Sequence, residues 1–366
     1  MTALAAGALV SLLPREGRAD QFILCVGGHA RRLSFPGSEY ALTHSDVWSL
    51  RALPRSVAVV GGAATGCQLA SIFDSFGVHT SILDLAPRIL PAEDESVSGA
   101  MADAFRDRRI GIVTGIGGVQ QIEKIGSGLR LHYRIGDDSR ALEVETVILA
   151  TGWVGNLEGL NLAAANVQIE RGYVVVDDYL RTTAPHIFAA GDITGRMMLV
   201  QSAGYEARAA AENAVRGPRR KYEHRIVPHG GFTDPEYASV GLAESEARAF
   251  EPDCLTVRVP YADLDRAVID GRPEGFCKLI VSRATHHLLG AHVVGEQAVE
   301  VVQLVAAGMA ASMRVEQLAE LELAYPTFTA IVGMAARQMV RELNLVPLAL
   351  QWRALGRRAA EWEREE

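Results

Sequence analysis

Three sets of residues have types and spacing suited to chemistry. The first is the run Val57-Ala58-Val59-Val60-Gly61-Gly62-Ala63-Ala64-Thr65-Gly66. An apolar strand pattern ends in glycines and is followed by an apolar-periodic segment, Gln68–Phe76, that predicts a helix. In that setting Gly61 makes the tight turn out of the strand, Gly66 lets the helix pack close to the sheet, and the free N–H groups at the helix start face a pyrophosphate. Ala63 stands at the middle glycine position, so one methyl crowds the phosphate approach. Asp84 ends the next strand pattern, Thr80–Leu85, roughly 20 residues on, where a dinucleotide site places an acid on the ribose hydroxyls. A carboxylate there repels a 2′-phosphate, so NADH is expected over NADPH, with Arg88 softening the preference.

The second set is Ala189-Ala190-Gly191-Asp192, an acid after a glycine at the end of an apolar strand. It can accept from a ligand hydroxyl. The third is the set of groups that lack a chemical pattern. Cys25, Cys67, Cys254 and Cys277 form no C-x-x-C pair, and isolated, mostly buried thiols in a reducing compartment are expected. His286, His287 and His292 have no carboxylate or cysteine at ligand spacing, so no metal is expected. His29, His44 and His79 are expected at the surface, and Ser71 and Ser202 lack a nucleophile-elbow context.

The elements that must position these residues alternate. Strand patterns at Gln21–Gly28, Ser56–Val60 and Thr80–Leu85 alternate with helices at Gln68–Phe76 and Ser96–Arg109, which predicts a parallel sheet covered by helices. Residues 120–149 read as a small antiparallel excursion closing with the strand Thr146–Ala150 and a second glycine turn, Thr151-Gly152. Short strands at Tyr173–Val176 and His186–Ala190 and a helix at Glu206–Val215 follow. Past a charged linker, Pro218–Tyr222, strands at Thr256–Val259, Phe276–Ser282 and Leu288–Val294 join helices at Glu244–Ala249, Glu296–Ala311 and Thr327–Leu343 in an α+β arrangement. Gln351–Glu366 reads as a charged surface helix.

The 366 residues allow two or three domains. With 36 basic and 44 acidic residues the net charge is −8, which argues against a general nucleic-acid binder. Three residues, Lys124, Lys221 and Lys278, are the only lysines. No stretch reaches a membrane span of ~18 apolar residues. The apolar start, Met1–Leu13, lacks a basic flank, so a cytoplasmic protein is expected.

Together these segments resemble the pyridine nucleotide–disulfide oxidoreductases, FAD- and NAD-dependent flavoproteins, in a dihydrolipoamide dehydrogenase-like or mercuric reductase-like branch. Cys25–Gly28 is similar to the family's first ATG-type strand end, Gly61–Gly66 to its NAD turn, and Arg88–Pro91 with Glu93 and Asp94 to its R-x-L-P-x-E-D segment. Ala150-Thr151-Gly152 resembles its second ATG motif, Ala190-Gly191-Asp192 its AGD motif, Phe232–Gly241 the entry to its dimerisation domain, and Tyr325–Thr329 its HPT motif. The fold so implied is α/β: a Rossmann-type NAD domain (51–152) inserted in a partial FAD domain (1–50 and 153–222), then an α+β dimerisation domain (223–345) and a charged tail (346–366).

The resemblance implies that Gly61, Gly62, Ala63, Thr65, Gly66, Asp84 and Gly152 line the NAD site. Gly27, Gly191 and Asp192 contact FAD, with Asp192 on the ribityl chain and backbone near Met198, Leu199 and Val200 facing the isoalloxazine. It implies a homodimer and an NADH-dependent hydride transfer to flavin, then to an acceptor it does not identify. The departures are also informative. Tyr325 stands at the family's acid–base His, and Ala330 at its Glu partner. None of the four cysteines replaces the redox pair, and no glycine-rich FAD loop precedes Gln21. The expectation is a fragment or late-started frame of a full flavoprotein. A missing unit supplied by another chain is a second explanation. A degenerate paralogue, a non-catalytic NAD-binding dimer without flavin, is a third.

Overall fold

The computed structural model describes residues 19–224 and 226–345. The expected apolar start and charged tail lie outside them. The chain forms two compact units, one from residues up to 52 with 148–224, the other from 53–147 with 226–345.

In the larger unit the parallel strands Ser56–Val60, His79–Leu83 and Gly111–Val113 pair in that order, Val57 opposite Thr80 and Ser81 opposite Gly111. Val57–Val60 is a continuous buried apolar run, as a strand covered on both faces requires. Helix Ala64–Ser75 and helix Glu95–Asp107 follow their strands. The second helix buries Val97, Met101 and Phe105 against Cys67, Ala70 and Ile82. Asp94 caps it, accepting from the Ser96 N–H at 2.9 Å, which satisfies one of the orphan donors at the helix start. The antiparallel excursion is three strands, Val119–Ile125, Gly128–Ile135 and Asp138–Val144. Leu129, Leu131 and Tyr133 alternate inward along the middle one.

The same unit carries a five-stranded antiparallel sheet ordered His229–Gly231, Tyr237–Gly241, Leu288–Val294, Phe276–Val281, Leu255–Pro260. Helices Ala298–Ala310, Val315–Ala319 and Ala330–Glu342 cover it through Val301, Val305, Ile331, Ala335 and Met339. Every residue of Phe276–Val281 is buried, Lys278 included. Tyr237, Phe276 and Val294 of this sheet also pack with Ile82, Leu90 and Phe105, so one apolar cluster spans both halves of the unit.

The smaller unit pairs Phe22–Leu24 in parallel with Ile187–Ala189, and Gly28–Ala30 antiparallel with Trp153–Gly155. Helix Val200–Arg216 buries Glu206, Ala209, Ala210 and Asn213. It starts six residues before the expected Glu206, through Gln201, Ser202 and Gly204, which break the apolar period without breaking the helix. Cys67, Cys254 and Cys277 are buried, in keeping with mostly buried thiols, and Cys25, just past the strand Phe22–Leu24, is exposed. One burial expectation is corrected here. His44 is buried, because its ring lies 4.2 Å from that of Trp153. Among the described residues no helix is long and apolar enough to cross a membrane.

Candidate functional site

The glycine turn of the larger unit brings Gly61, Gly62, Ala63, Thr65, Gly66 and Asp84 to one place. Gly61 has φ 113°, in the region that favours glycine. A Cβ at Gly66 would lie 1.7 Å from the Gly61 carbonyl oxygen, so the helix passes the turn at a distance only glycine allows. Helix Ala64–Ser75 has no side-chain cap, so its first N–H groups remain available to an anion. Asp84 accepts from the Gly62 N–H and, through its other oxygen, from the Ala86 N–H at 2.6 Å. Its carboxylate is thus fixed at the mouth of the turn, with lone pairs left for hydroxyl donors.

Arg88 takes a different role from the one expected of it. Its guanidinium donates to the carbonyls of Leu90 (3.3 Å), Pro91 (2.9 Å) and Glu93 (3.0 Å). It closes the loop on itself rather than facing a ribose. Gly152 belongs to the smaller unit, where its carbonyl accepts from the Arg31 N–H.

In the smaller unit Gly27, Gly28, Gly191 and Asp192 converge. A Cβ at Gly28 would stand 2.8 Å from the Val154 carbonyl oxygen and 3.4 Å from the Asp192 Cβ. Asn156 clasps this turn: its Nδ2 donates to the Val26 carbonyl at 2.8 Å, and its Oδ1 is 2.7 Å from His29 Nδ1. The Gly191 N–H donates to Glu206 Oε2 at 2.5 Å. Glu206 is fully buried, and His224 Nε2 lies 3.3 Å from its other oxygen. Burial pushes the Glu206 carboxyl up, against the Gly191 N–H, which favours its charged form.

Asp192 is half-buried, and burial pushes its carboxyl up as well. No hydrogen bond or ion pair from a described residue reaches it. The Ser202 hydroxyl, 3% exposed as a residue, is likewise without a partner. A desolvated carboxylate beside a bare glycine, Gly28, fits a polyhydroxyl ligand such as the ribityl chain of FAD. Met198 and Val200, expected near the flavin ring, are exposed.

Tyr325 is exposed in the larger unit, and its hydroxyl donates to Asp265 Oδ2 at 2.9 Å. That bond and the Asp265 charge push its pKa above the ordinary 10. A phenol so held is not a base at neutral pH. With Asp263, Arg266, Thr327, Ala330 and Arg337 it lines a cavity of about 230 Å³. Cys67 and Cys277 are buried with thiols pushed up to about 12, and all four cysteines are unpaired.

One cluster escaped the sequence reading. Lys278 Nζ lies 2.8 and 2.9 Å from the Asp94 oxygens and 2.7 Å from Glu244 Oε2. Glu93 accepts from the Ser239 hydroxyl at 2.6 Å and pairs with His229 at 3.1 Å. His292 Nδ1 lies 3.0 Å from the same hydroxyl. The signal was a lysine inside an otherwise apolar strand, Phe276–Val281, in a chain with three lysines.

Residues 13–207 match the family model described as pyridine nucleotide-disulphide oxidoreductase, and residues 227–336 match its dimerisation domain. Similar curated proteins include a mercuric reductase of Bacillus cereus, 31% identical over 329 residues, covering 89% of this chain and 52% of that protein. A dihydrolipoyl dehydrogenase of Chlorobaculum parvum is 32% identical over 326 residues, covering 88% and 69%. Among solved structures, LpdA of Mycobacterium tuberculosis aligns with TM-score 0.80 at 28% identity, covering 88% of this chain and 70% of that one. RclA of Escherichia coli, an HOCl-induced flavoprotein disulfide reductase, aligns in its Cu(II) complex with TM-score 0.82 at 25% identity, covering 87% and 72%. The chain spans 52% and 60% of the length of two mercuric reductases, from Bacillus cereus and Staphylococcus aureus. Enzymes of the matched family use FAD and NAD(P)H. The α/β architecture, the glycine turn and the two matched segments agree, and the chain belongs to the pyridine nucleotide-disulphide oxidoreductase family.

Proposed function

We propose that this chain acts as an FAD-dependent oxidoreductase, passing a hydride from NADH to flavin and then to an unidentified acceptor. Gly61, Gly62, Ala63, Thr65 and Gly66 would hold the pyrophosphate of the pyridine nucleotide, and Asp84 its ribose hydroxyls. Gly152, at the second ATG-type motif, is proposed with them. Gly27, Gly191 and Asp192 would hold FAD, with Asp192 accepting from a ribityl hydroxyl. When bound, the flavin supplies hydride acceptance from the nicotinamide and onward electron transfer. A homodimer through residues 227–336 is part of the proposal.

The chain's own residues supply orientation and charge. Asp84, fixed by two backbone N–H groups, disfavours a 2′-phosphate by like charge. The Arg88 guanidinium is occupied by three carbonyls and does not offset it. NADH is therefore the proposed nucleotide. Tyr325, as a phenol bonded to Asp265, holds its proton, so the acceptor is proposed to be one that needs no base at this position. The acceptor itself stays unidentified.

The single observation that carries the flavin reading is the Asp192 carboxylate, desolvated and unreached by any described donor, beside Gly28 and Gly191. The test is titration of the purified chain with FAD, read as quenching of flavin fluorescence. Binding should be saturable, and Asp192→Asn should weaken it about tenfold, the loss of a charged hydrogen bond. Equal affinity in the two proteins would overturn the assignment of Asp192. No binding to wild type would overturn the flavin site on this chain and leave the non-catalytic nucleotide-binding reading.

A further inference from the structure

The segment Asp84–Asp94 forms the back wall of the glycine turn. The Leu90 N–H donates to the Gly62 carbonyl at 2.7 Å, and the Gly62 N–H donates to Asp84. Ile89 packs so closely that a Cβ at Gly62 would be 3.1 Å from its Cγ2. Arg88 stiffens the loop from within. The far end of the segment is anchored on the antiparallel sheet of the same unit by two ion pairs, one buried and one partly exposed. One is Asp94 with Lys278, 2.8 Å apart, and the bonds from Lys278 and Ser96 hold the Asp94 carboxyl well below its ordinary range against its burial. The other is Glu93 with His229, and this one titrates.

The geometry around His229 selects its charged form. Its Nε2 faces Glu93 Oε1 at 3.1 Å, and its Nδ1 faces the Val227 carbonyl at 3.2 Å. Both neighbours only accept, so only the doubly protonated imidazolium satisfies both. A neutral ring leaves one contact without a proton and Glu93 buried beside it. The side chain of His229 is 36% exposed, so protons reach it. Across Glu93 stand Ser239 and His292, and burial holds His292 in its neutral form. From the helices packed on the His229 strand, the titratable side chains are Cys67, Asp74, Glu300 and none bonds to it.

We propose that Glu93 and His229 are positioning residues for the pyridine nucleotide: the imidazolium–carboxylate pair holds Asp84–Asp94 against the glycine turn, so that NADH affinity falls when His229 loses its proton. The proposal rests on the nucleotide site proposed above. The Asp94 anchor does not involve His229: Lys278 Nζ holds both Asp94 oxygens and Glu244 Oε2, so loss of the second anchor loosens the wall without unfolding the unit. A wall that is in place only part of the time lowers apparent affinity by the fraction of time it is absent. The bond to Glu93 raises the pKa of His229 above the ordinary 6.5, so the change falls above that value.

The experiment is calorimetric titration of the full chain with NADH from about pH 6.5 to about pH 9, a span over which a histidine with a carboxylate neighbour titrates. Wild type should weaken at least about threefold across that range, as a competent fraction reduced by that factor requires. His229→Gln should bind weakly throughout with no slope, while keeping the wild-type circular dichroism. Asp84→Asn, which alters the ribose acid and leaves the pair intact, should bind more weakly and keep the slope. Parallel slopes in wild type and His229→Gln would overturn the proposal while the nucleotide site stands. Absence of NADH binding by wild type at every pH would overturn the nucleotide site, and this proposal with it.

Discussion

Replacing Gly66 by alanine tests the nucleotide turn with one methyl group. Two effects oppose each other. Alanine is favoured over glycine inside a helix by about 1 kcal/mol. Against this, the new Cβ would lie 1.7 Å from the Gly61 carbonyl oxygen, 2.8 Å from its carbon and 3.4 Å from Val59 Cγ1. Backbone cannot rotate away as a side-chain tip does, so the helix start must move by more than 1 Å to reach ordinary contact, a shift about as large as the tolerance of a preorganised site. Overpacking of this kind costs about 1–3 kcal/mol and occasionally more, so the clash outweighs the propensity gain. Gly66→Ala should lose about 1–2 kcal/mol by urea unfolding. It should weaken NADH by at least about tenfold, since the N–H groups proposed to face the pyrophosphate move with the helix. Gly99→Ala is the matched control: it lies in helix Glu95–Asp107 with nothing within 4 Å of the new Cβ. It should gain about 0.5–1 kcal/mol and leave NADH binding unchanged. If Gly66→Ala were as stable as wild type and bound NADH equally, the close passage of helix and turn would not be what makes this site.

Lys278→Met should leave Asp94 buried without its cation and cost about 3–5 kcal/mol, read as a lowered urea midpoint, because one half of a buried pair is worse than none. Burial alone would raise the Asp94 carboxyl, yet the bonds from Lys278, Ser96 and the Glu244 N–H hold it well below the ordinary 3.8. Its stabilisation is therefore present above pH 3.8 and lost only in strong acid, and in Lys278→Met acid unfolding should begin at higher pH. The His229–Glu93 pair has the opposite sense on its basic side. With His229 raised from 6.5 and Glu93 lowered from 4.5, its contribution is full between those values and fades as pH rises through the His229 titration. The stability difference between wild type and His229→Gln, from urea unfolding at several pH values, should shrink accordingly.

The strand–turn–helix at Ser56–Ser75 was legible because one glycine-rich turn and two hydrophobic periods occur within a short stretch. The AGD strand end was legible for the same local reason. The three-residue strand Gly111–Val113 and five-residue helices Asp265–Ile269 and Val315–Ala319 were not, since elements of that length show no period. Glu93 and Asp94 were visible as a motif, but their partners were not: Lys278 lies 184 residues from Asp94, and His229 136 from Glu93. Only the folded chain brings such groups together. Arg88 was misjudged because a guanidinium near a ribose acid invites a ligand role, whereas three loop carbonyls lay nearer in the chain. His44 was misjudged because no local pattern announces a histidine buried against an aromatic ring.

The most direct test of the central claim is the visible absorption spectrum of the purified chain reconstituted with FAD, recorded anaerobically before and after NADH. The account predicts flavin bands that bleach on addition of NADH, as a single protein that holds both nucleotides would show. Bound flavin that NADH leaves oxidised, or no bound flavin at all, would contradict it.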